Sequence, residues 1–548
     1  MAEEDIIFGK NRHFFGGIEP SNMITFSAKS DYQTETDTLT VKINAKLPDD
    51  TVIEGQTLCT IAGAIIRKST TDYPKDEFSG DMVAAITEDQ EIIDSTVVDG
   101  TTYYYAAFPY STQGVYNRNK SNRIEVTPKL APVPETYIFG YDLDKNISDP
   151  DARVSYPSDV DNADFSPAFM DFDADTFNYG GWPSEGMFMP RPCMIKYDGT
   201  VAEYLDPNDY TKTTDNTESQ VANPDFEGNA MIEWPKIYTK RWTENGIYHF
   251  RCSNTPVDDG YDCWSNYDKN DNQIEHFYTA IYFGSNISEE KPDGTYIYRT
   301  RSISGQSNAV NQNSTHHYSN AQSNGDGWNL EFLADRLLIQ DLLVMMSKSA
   351  NSQEKYGSGR CAPSNQSVVP QSAIGQGTMD SKGLFWGSNN PEFGVKVFGM
   401  ENLWSNLWRK IAGWGAYKGF HYIKITWGTH DGSTTSDFNE NSTGYIHLKE
   451  EPKTPNTLGG YISGTIDLNF GRLPCITEGS STTNECDGLW SNDGGTYGLQ
   501  AAVGGSYKNW YHNGIFCAML TLNGNTKTVD VGSAISFKPI YKGEVNET

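Results

Sequence analysis

Helical periodicity is rare in this 548-residue chain, and its rarity limits the folds that the chain can adopt. Only two segments repeat apolar residues at the spacing of a helix face. Elsewhere, short apolar runs alternate with glycine, asparagine, aspartate and serine, which is typical of strands joined by turns. Aromatic residues make up 13% of the chain, so it has enough large side chains to build cores. The sequence therefore predicts a folded, mostly β protein of roughly two to four domains.

The first helical segment runs from Leu330 to Met345, and Asp326 and Asn329 are candidate caps at its start. Its apolar side is broad enough to pack on a sheet. The repeating positions are Leu330, Leu333, Leu337, Leu338, Leu342 and Met345.

The second segment predicts a helix from Met400 to Ile411. It places Trp404 and Trp408 one turn apart on the apolar side, so both rings are expected in the core. The repeating positions are Met400, Leu403, Trp404, Leu407, Trp408 and Ile411.

Residues 31–129 carry a β pattern and predict a β-sandwich. Residues 39–47 alternate apolar and polar side chains, which indicates a strand with one buried face. This region resembles a fibronectin type III-like module in its GTTYYYA motif, residues 100–106, and in its length of roughly 100 residues.

Residues 1–30 are too short and too glycine-rich to form a core, but Phe14, Phe15 and Ile18 suit docking on a partner. LAPVPE, residues 130–135, reads as a stiff linker, and residues 136–548 form the remaining domain.

The formal net charge is -30, without a run rich in Lys or Arg, which argues against binding to nucleic acid or an anionic membrane. The N-terminus lacks the pattern of a secretory signal. The most apolar segment is interrupted by Asp335, Arg336 and Asp341, so membrane insertion is not expected. The eight cysteines are scattered, and we expect buried reduced thiols in a protein made in a cytosol.

The segment GGSYKNWYHNGIFCAML, residues 504–520, has the residue types of a contact surface. Alternation from Ile515 onward predicts a buried strand, and Gly504, Gly505 and Gly514 allow left-handed backbone. The residues expected to contact a ligand are Tyr507, Lys508, Asn509, Trp510, Tyr511, His512, Asn513, Trp490 and Asn492. The alternative is that the two tryptophans belong to the core and the other residues form an ordinary loop.

Three Asp/Asn-rich motifs offer hard oxygen ligands at alternate positions, and calcium is the cation that they favour. None has the loop glycine and final Glu of an EF-hand, and Asx turns explain them equally well. Otherwise no cofactor is expected, and His316 and His317 read as a surface pair. The three motifs are Asp142-x-Asp144-x-Asn146, Asp171-x-Asp173-x-Asp175 and Asp268-x-Asn270-x-Asn272.

Most of the chain resembles one family. The resemblance rests on GWNLEFLADRLLIQDLLVMMSKSANSQEKYGSG, VKVFGMENLWSNLWRKIAGW, CDGLWSN, VGGSYKNWYHNGIFCAML and VGSAISFKP. These segments are similar to the C-terminal domain of phage and prophage tail-fibre or receptor-binding proteins. The opening FGKNRHFFGGIEPSNM is similar to the N-terminus of phage proteins of this architecture. The resemblance implies a C-type lectin-like fold, related to the variable proteins of diversity-generating retroelements and to formylglycine-generating enzymes.

An enzymatic role is not predicted. There is no GxSxG motif, and Cys486 and Cys517 lack the flanking motif of the formylglycine-generating relatives. Pairs of carboxylates are unavoidable among 72 acidic residues, so they do not indicate a glycan-cleaving site.

The resemblance implies a virion protein, made in the cytoplasm of a host bacterium, that attaches to a cell-surface glycan or protein without covalent chemistry. Residues 1–30 would bind other virion proteins, the sandwich would project the chain, and the lectin-like domain would bind the receptor. A homotrimer is expected by analogy. The alternative is a head fibre or capsid decoration protein with a mainly structural role.

Overall fold

The computed structural model describes residues 18–33, 38–53, 55–128, 136–183, 186–361, 370, 372–424, 445–448, 459–491, 499–509 and 512–541. The chain divides into two compact units, Met1–Glu135 and Thr136–Thr548. Strands predominate in both units, which confirms the predicted mostly β fold class.

The first unit is a sandwich of two antiparallel sheets. Strands β1, β2 and β7 form one sheet, and β6, β5, β8 and β9 form the other. Val41 and Ile43 of the first sheet share a core with Ile66 and Tyr105 of the second. The strands are β1 Thr25–Gln33, β2 Thr38–Lys46, β3 Thr51–Ile53, β4 Gln56–Cys59, β5 Ile61–Ser69, β6 Asp81–Ile86, β7 Gln90–Asp94, β8 Tyr103–Ser111 and β9 Arg123–Val126.

A buried ion pair joins the two sheets of the sandwich. The Lys68 Nζ atom on β5 lies 2.7 Å from the Asp94 Oδ2 atom on β7. The Tyr105 hydroxyl donates to the same carboxylate oxygen at 2.9 Å. Because both charged groups are buried, removing either one would leave the other without a partner and would destabilise the packing of the two sheets.

The predicted boundary at residue 30 is wrong, because it falls inside β1. Met23 is already buried, and its backbone N–H donates to the Asn122 side chain at 3.0 Å. The sandwich therefore includes residues that the sequence pattern assigned to the docking segment. Phe14 and Phe15, and the predicted linker, lie outside the described residues, whereas Ile18 is 43% exposed.

The second unit begins with strands that belong to a four-stranded sheet, to a seven-stranded sheet and to two two-stranded sheets. The strands are β10 Ile138–Asp144, β11 Val154–Ser155, β12 Phe169–Asp171, β13 Thr176–Asn178, β14 Arg191–Lys196, β15 Val201–Asp206, β16 Asp209–Thr213, β17 Gly228–Pro235, β18 Tyr238–Glu244, β19 Ile247–Ser253, β20 His276–Ala280, β21 Ser285–Glu290 and β22 Tyr296–Arg301. Strands β11, β10, β19 and β18 pair in that order in a four-stranded sheet. Strands β12 and β13 form one of the two-stranded sheets, and β21 and β22 form the other.

The three α-helices of the described residues follow. The elements are α1 Ser314–Gln322, β23 Trp328–Leu330, α2 Leu333–Ser347, α3 Ser352–Tyr356, β24 Trp386–Gly387, β25 Val395–Val397 and β26 Met400–Glu401. Within the residues described, no helix combines the length and apolar character needed to cross a membrane.

The C-terminal part contributes the largest sheet. Its strands are β27 Trp408–Tyr417, β28 Phe420–Ile423, β29 Ile446–His447, β30 Gly460–Tyr461, β31 Gly464–Leu468, β32 Gly471–Ile476, β33 Gly488–Ser491, β34 Leu499–Val503, β35 Ala518–Asn523, β36 Val531–Ser533 and β37 Ile535–Phe537. Strands β29, β28, β27, β34, β35, β33 and β30 pair in that order, and β36 pairs with β27. The seven-stranded sheet has the order β16, β15, β14, β17, β20, β37 and β23. The C-terminal strand β37 therefore lies between β20 and β23, which come much earlier in the chain.

Helix α2 confirms the first predicted helix but is more deeply buried than its pattern indicates. Every residue from Leu333 to Ser347 is buried. The predicted caps are wrong, because the N-cap is Phe332, which makes no side-chain cap bond. Asn329 lies in β23 instead. A short strand leading directly into the helix replaces the expected polar cap.

The polar side chains of α2 are bonded to distant parts of the second unit. The Asp341 carboxylate accepts from Arg241 Nε at 2.8 Å and from the Tyr141 hydroxyl at 2.6 Å. Asp335 lies 3.0 Å from the Lys538 Nζ atom. Burial is tolerated because each carboxylate has a cation and hydrogen-bond donors close by.

The second predicted helix is wrong. Residues 400–417 form β26, a series of turns and β27. Asn402, Ser405 and Asn406 have φ values of 56°, 62° and 50°, which are left-handed and exclude a helix. These polar residues are buried like their apolar neighbours, so the helical spacing of the apolar residues did not correspond to one buried side of a helix. Trp404 and Trp408 are nevertheless buried as predicted, at 0% and 3% exposure.

Helix α1 was missed by the sequence pattern, which reads as a polar turn. Asn313 caps it by accepting from the His316 backbone N–H at 2.9 Å. Its inward face includes a polar residue, His317, so the apolar periodicity is weak. The predicted surface pair is therefore wrong for His317, which is fully buried, whereas His316 is exposed.

Truncating Trp404 tests the placement of its ring in the core. Trp404→Ala is expected to lower the free energy of unfolding by about 3–5 kcal/mol, because a large buried ring leaves a cavity. Tyr298→Ala, which removes a ring that is 55% exposed, should change it by less than about 0.5 kcal/mol. Denaturant unfolding of both variants measures the difference. Equal, small losses would contradict the core position of Trp404.

The second-unit stability should depend on pH through His317. Burial, with a smaller effect of nearby Lys410, lowers the pKa of His317 to about 3. The unfolded chain takes up this proton near pH 6.5, so the stability is complete above that pH and is lost as the pH falls. When the pH falls from 6.5 to 4.5, the free energy of unfolding of His317→Gln should decrease by about 2 kcal/mol less than that of the unchanged protein. His316→Gln is the control and should follow the unchanged protein; equal slopes in all three would refute the assignment.

Candidate binding surface

Two glycines turn the chain sharply at the start of the predicted contact segment. Gly504 and Gly505 have φ values of 86° and 78°, as the sequence predicts. A Cβ atom on Gly505 would lie 1.7 Å from the Asn513 Oδ1 atom. One on Gly504 would lie 2.7 Å from the Leu403 carbonyl oxygen. The turn is therefore packed against its surroundings on both sides.

This turn directs part of the segment inward, which overturns the expected exposure of Tyr507 and Asn513. Tyr507 is 5% exposed and packs with Phe283 and Leu407. Asn513 is fully buried, and its side-chain N–H donates to the Ser506 carbonyl at 3.0 Å. These two side chains fix the loop and are not positioned to contact a ligand.

The other predicted contact residues of this segment differ in their exposure. Lys508 is exposed, and its Nζ atom lies 3.5 Å from Asp530. Asn509 is half-buried and accepts from the Ser506 backbone N–H at 2.9 Å, so it closes a turn. Trp510, Tyr511 and Asn492 lie outside the described residues.

Two predicted residues, Trp490 and His512, meet in a group of half-buried rings. The His512 ring stacks on Tyr461 with centroids 4.3 Å apart, and its other neighbour is Trp490 at 5.0 Å, edge-on. We call Tyr461, His512 and Trp490 the aromatic row. Its inner end is anchored by the buried Trp408, 5.4 Å from Trp490. Rings held in this way present amphipathic surface at little cost in conformational entropy.

Strand pairing and glycines explain why the aromatic row forms. Trp490 lies on β33, between β30, which carries Tyr461, and β35. A Cβ atom on Gly488 would lie 2.7 Å from the Trp490 ring and 2.8 Å from the His512 Cβ atom. On the other side, Met519 pairs with Trp490 in register and is half-buried. The row therefore continues into a flexible apolar side chain.

The aromatic row carries a neutral polar group. Burial lowers the pKa of His512, so its imidazole is uncharged at neutral pH. A neutral imidazole offers one donor and one acceptor. The row can therefore combine stacking with a directional hydrogen bond to a ligand.

Tyr461 and Met519 are the members of this surface that the sequence did not single out. Tyr461 follows a glycine pair, Gly459–Gly460, much as the contact segment does. That local signal was present, but the contact with His512 depends on β30 pairing with β33, which no local pattern specifies.

The three predicted calcium motifs are built as Asx turns. Asp268 accepts from the backbone N–H groups of Asn270 and Asn272 at 2.8 and 2.9 Å. Asp144 accepts from the Asn146 N–H, and Asp171 from two N–H groups that follow it. Among the residues described, no group of three His, Cys, Asp or Glu side chains is arranged to hold a metal ion.

The eight cysteines are free and buried, as predicted. Burial raises the pKa of Cys361 to about 11 and that of Cys263 to about 12. Burial also raises the pKa of Cys486 and Cys517. These thiols are protonated at neutral pH, so they are poor nucleophiles.

Comparison with known proteins does not assign this surface. No protein-family model matches the chain, and no curated protein matches it either. The side chains of the aromatic row and their geometry are therefore the basis for a functional proposal.

Tyr507 and its neighbour Lys508 should respond differently to truncation. Tyr507→Ala removes a buried ring and is expected to lower the free energy of unfolding by about 3 kcal/mol. Lys508→Ala removes an exposed side chain with one long ion pair and should change it by less than about 0.5 kcal/mol. Thermal and denaturant unfolding measure both. An unchanged stability for Tyr507→Ala would restore the original interpretation of Tyr507 as an exposed contact.

Proposed function

We propose that this chain is a non-covalent binding protein of a phage virion, and that its aromatic row contacts a receptor on the host cell surface. The observation that carries the proposal is the half-buried stack of Tyr461, His512 and Trp490 at the edge of the largest sheet. The virion assignment rests on the resemblance of the chain to phage receptor-binding proteins.

The chemistry of the row suits a flat ligand face. Partly exposed rings stack on the apolar face of a sugar or on a protein side chain. His512 supplies one directional hydrogen bond from within the row. None of these contacts requires a covalent step, so the proposal is binding without catalysis.

The other parts of the chain have roles that follow from the same proposal. The first unit is a β-sandwich, a shape suited to spacing a binding domain away from a particle. The N-terminal segment would attach the chain to other virion proteins. Several copies, a trimer by analogy, would let weak sites act together. A purely structural head fibre is the competing assignment.

Trp490→Ala tests the proposal. Virions that carry this variant are expected to adsorb to host cells at least tenfold more slowly, because multivalent attachment amplifies the loss at each site. Trp242→Ala is the matched control, because Trp242 is also half-buried and also packs on a histidine ring, His249, at 4.6 Å. The melting temperature of both proteins is measured alongside.

The result distinguishes attachment from a structural role. Slow adsorption of Trp490→Ala virions, with normal melting and normal incorporation, supports attachment by the aromatic row. Normal adsorption of virions that contain the folded variant would refute it and favour the head-fibre assignment. Equal losses in Trp242→Ala would show that the effect is not specific to the row.

A further inference from the structure

A cleft lies at one end of the seven-stranded sheet, in residues that the aromatic row does not use. The cleft has a volume of about 620 Å³, which is within the range of small-ligand sites. It lies where β14 begins and β17 ends, and Arg191 pairs with Glu233 in register there. His276, at the start of β20, and Tyr204 of β15 complete its polar wall.

Arg191 is held in place by a buried carboxylate. Its Nε atom donates to Glu233 Oε1 at 2.9 Å, and its Nη2 atom bonds to the same oxygen. Its guanidinium also lies over the Tyr204 ring, 4.2 Å from the centroid. Glu233 is 4% exposed and accepts from the Tyr278 hydroxyl at 2.8 Å. Glu233 and the Tyr204 ring therefore orient the arginine side chain although it is 57% exposed.

The orientation leaves part of the guanidinium available. The Nε and Nη2 donors are occupied by Glu233 and the Tyr204 hydroxyl at 2.9 Å. In the part of the chain that the structure describes, Nη1 of Arg191 donates to no protein acceptor. An immobilised pair of N–H donors beside a cleft costs a ligand little ordering entropy.

The remaining walls are rigid and apolar. Four prolines line the cleft, and their rings fix the backbone and offer C–H surface. Leu384 and Met189 add side-chain area to the same walls. The four prolines are Pro190, Pro192, Pro207 and Pro235.

The charge of the cleft selects against ions. Glu233 neutralises Arg191, so an anion would gain little and would have to compete with that carboxylate. A cation would compete with Arg191 for Glu233. The net charge of -30 on the chain further disfavours anions. A neutral ligand with paired hydroxyl oxygens and an apolar face matches both the free donors and the proline walls.

We propose that this cleft is a saccharide-binding site for a neutral hexose unit. The sugar hydroxyls accept from Arg191 Nη1 and bond to His276, while the C–H face of the ring packs on the prolines. The site is independent of the aromatic row, so it stands or falls separately from the proposed attachment function.

Ligand-observed saturation-transfer NMR on the full chain tests the site. The probes are glucose, galactose, mannose, N-acetylglucosamine and their β-linked and α-linked disaccharides, with glucuronate as the anionic comparison. At least one neutral sugar is expected to bind, and Arg191→Met is expected to weaken it at least tenfold. Arg191→Lys keeps the charge but removes the planar donor pair, so it should weaken binding to a similar degree.

Arg118→Met is the matched control. Arg118 is also about half exposed, at 51%, pairs with a buried glutamate, Glu77, and lies over the Tyr116 ring, but it belongs to the first unit. It should bind sugar as the unchanged protein does. Binding of no neutral sugar at millimolar concentration, binding of glucuronate alone, or equal binding by folded Arg191→Met and the unchanged protein would each overturn the proposal.

Discussion

The fold of the second unit depends on a helix that has no solvent-facing side. All 15 residues of α2 are buried, including Asp335, Arg336, Gln340 and Asp341. A buried polar side chain without a partner is costly, so each must find one when the chain folds. The partners come from segments far apart in sequence, such as Arg241 and Lys538. The strands around α2 are therefore arranged as much by its polar groups as by its apolar ones.

The candidate binding surface is attached to this helix. Arg336 and Gln340 both donate to the Ile515 carbonyl oxygen, at 2.8 and 3.0 Å. Ile515 lies three residues after His512, whose ring forms the middle of the aromatic row. Because the carbonyl is fixed by the core, the chain that carries His512 leaves from a rigid point. A site supported in this way keeps its geometry before a ligand arrives.

Local sequence patterns predicted the features that local physics decides. Alternation of Val41, Ile43 and Ala45 gave the sandwich strand, and the left-handed backbone of Gly504 and Gly505 follows from their lack of a side chain. The predicted boundary of the docking segment and the predicted exposure of Tyr507 were wrong, because contacts between residues distant in sequence decide both.

The spacing of apolar residues failed to predict secondary structure where polar and apolar residues are equally buried. The turns and strand after Met400 bury polar and apolar residues alike, so an apparent helical spacing carried no information about a face. Helix α1 was missed for the opposite reason, since the inward position of His317 is filled by a polar residue. Tyr461 could not be placed beside His512 because their contact depends on the pairing of distant strands.

The most direct test of receptor contact by the aromatic row is hydrogen–deuterium exchange of the full chain, measured with and without envelopes from host cells. Binding by the aromatic row should slow amide exchange at β30, at β33 and next to His512, with little change in the first-unit sandwich. Slower exchange confined to other segments, with these three unchanged, would contradict it.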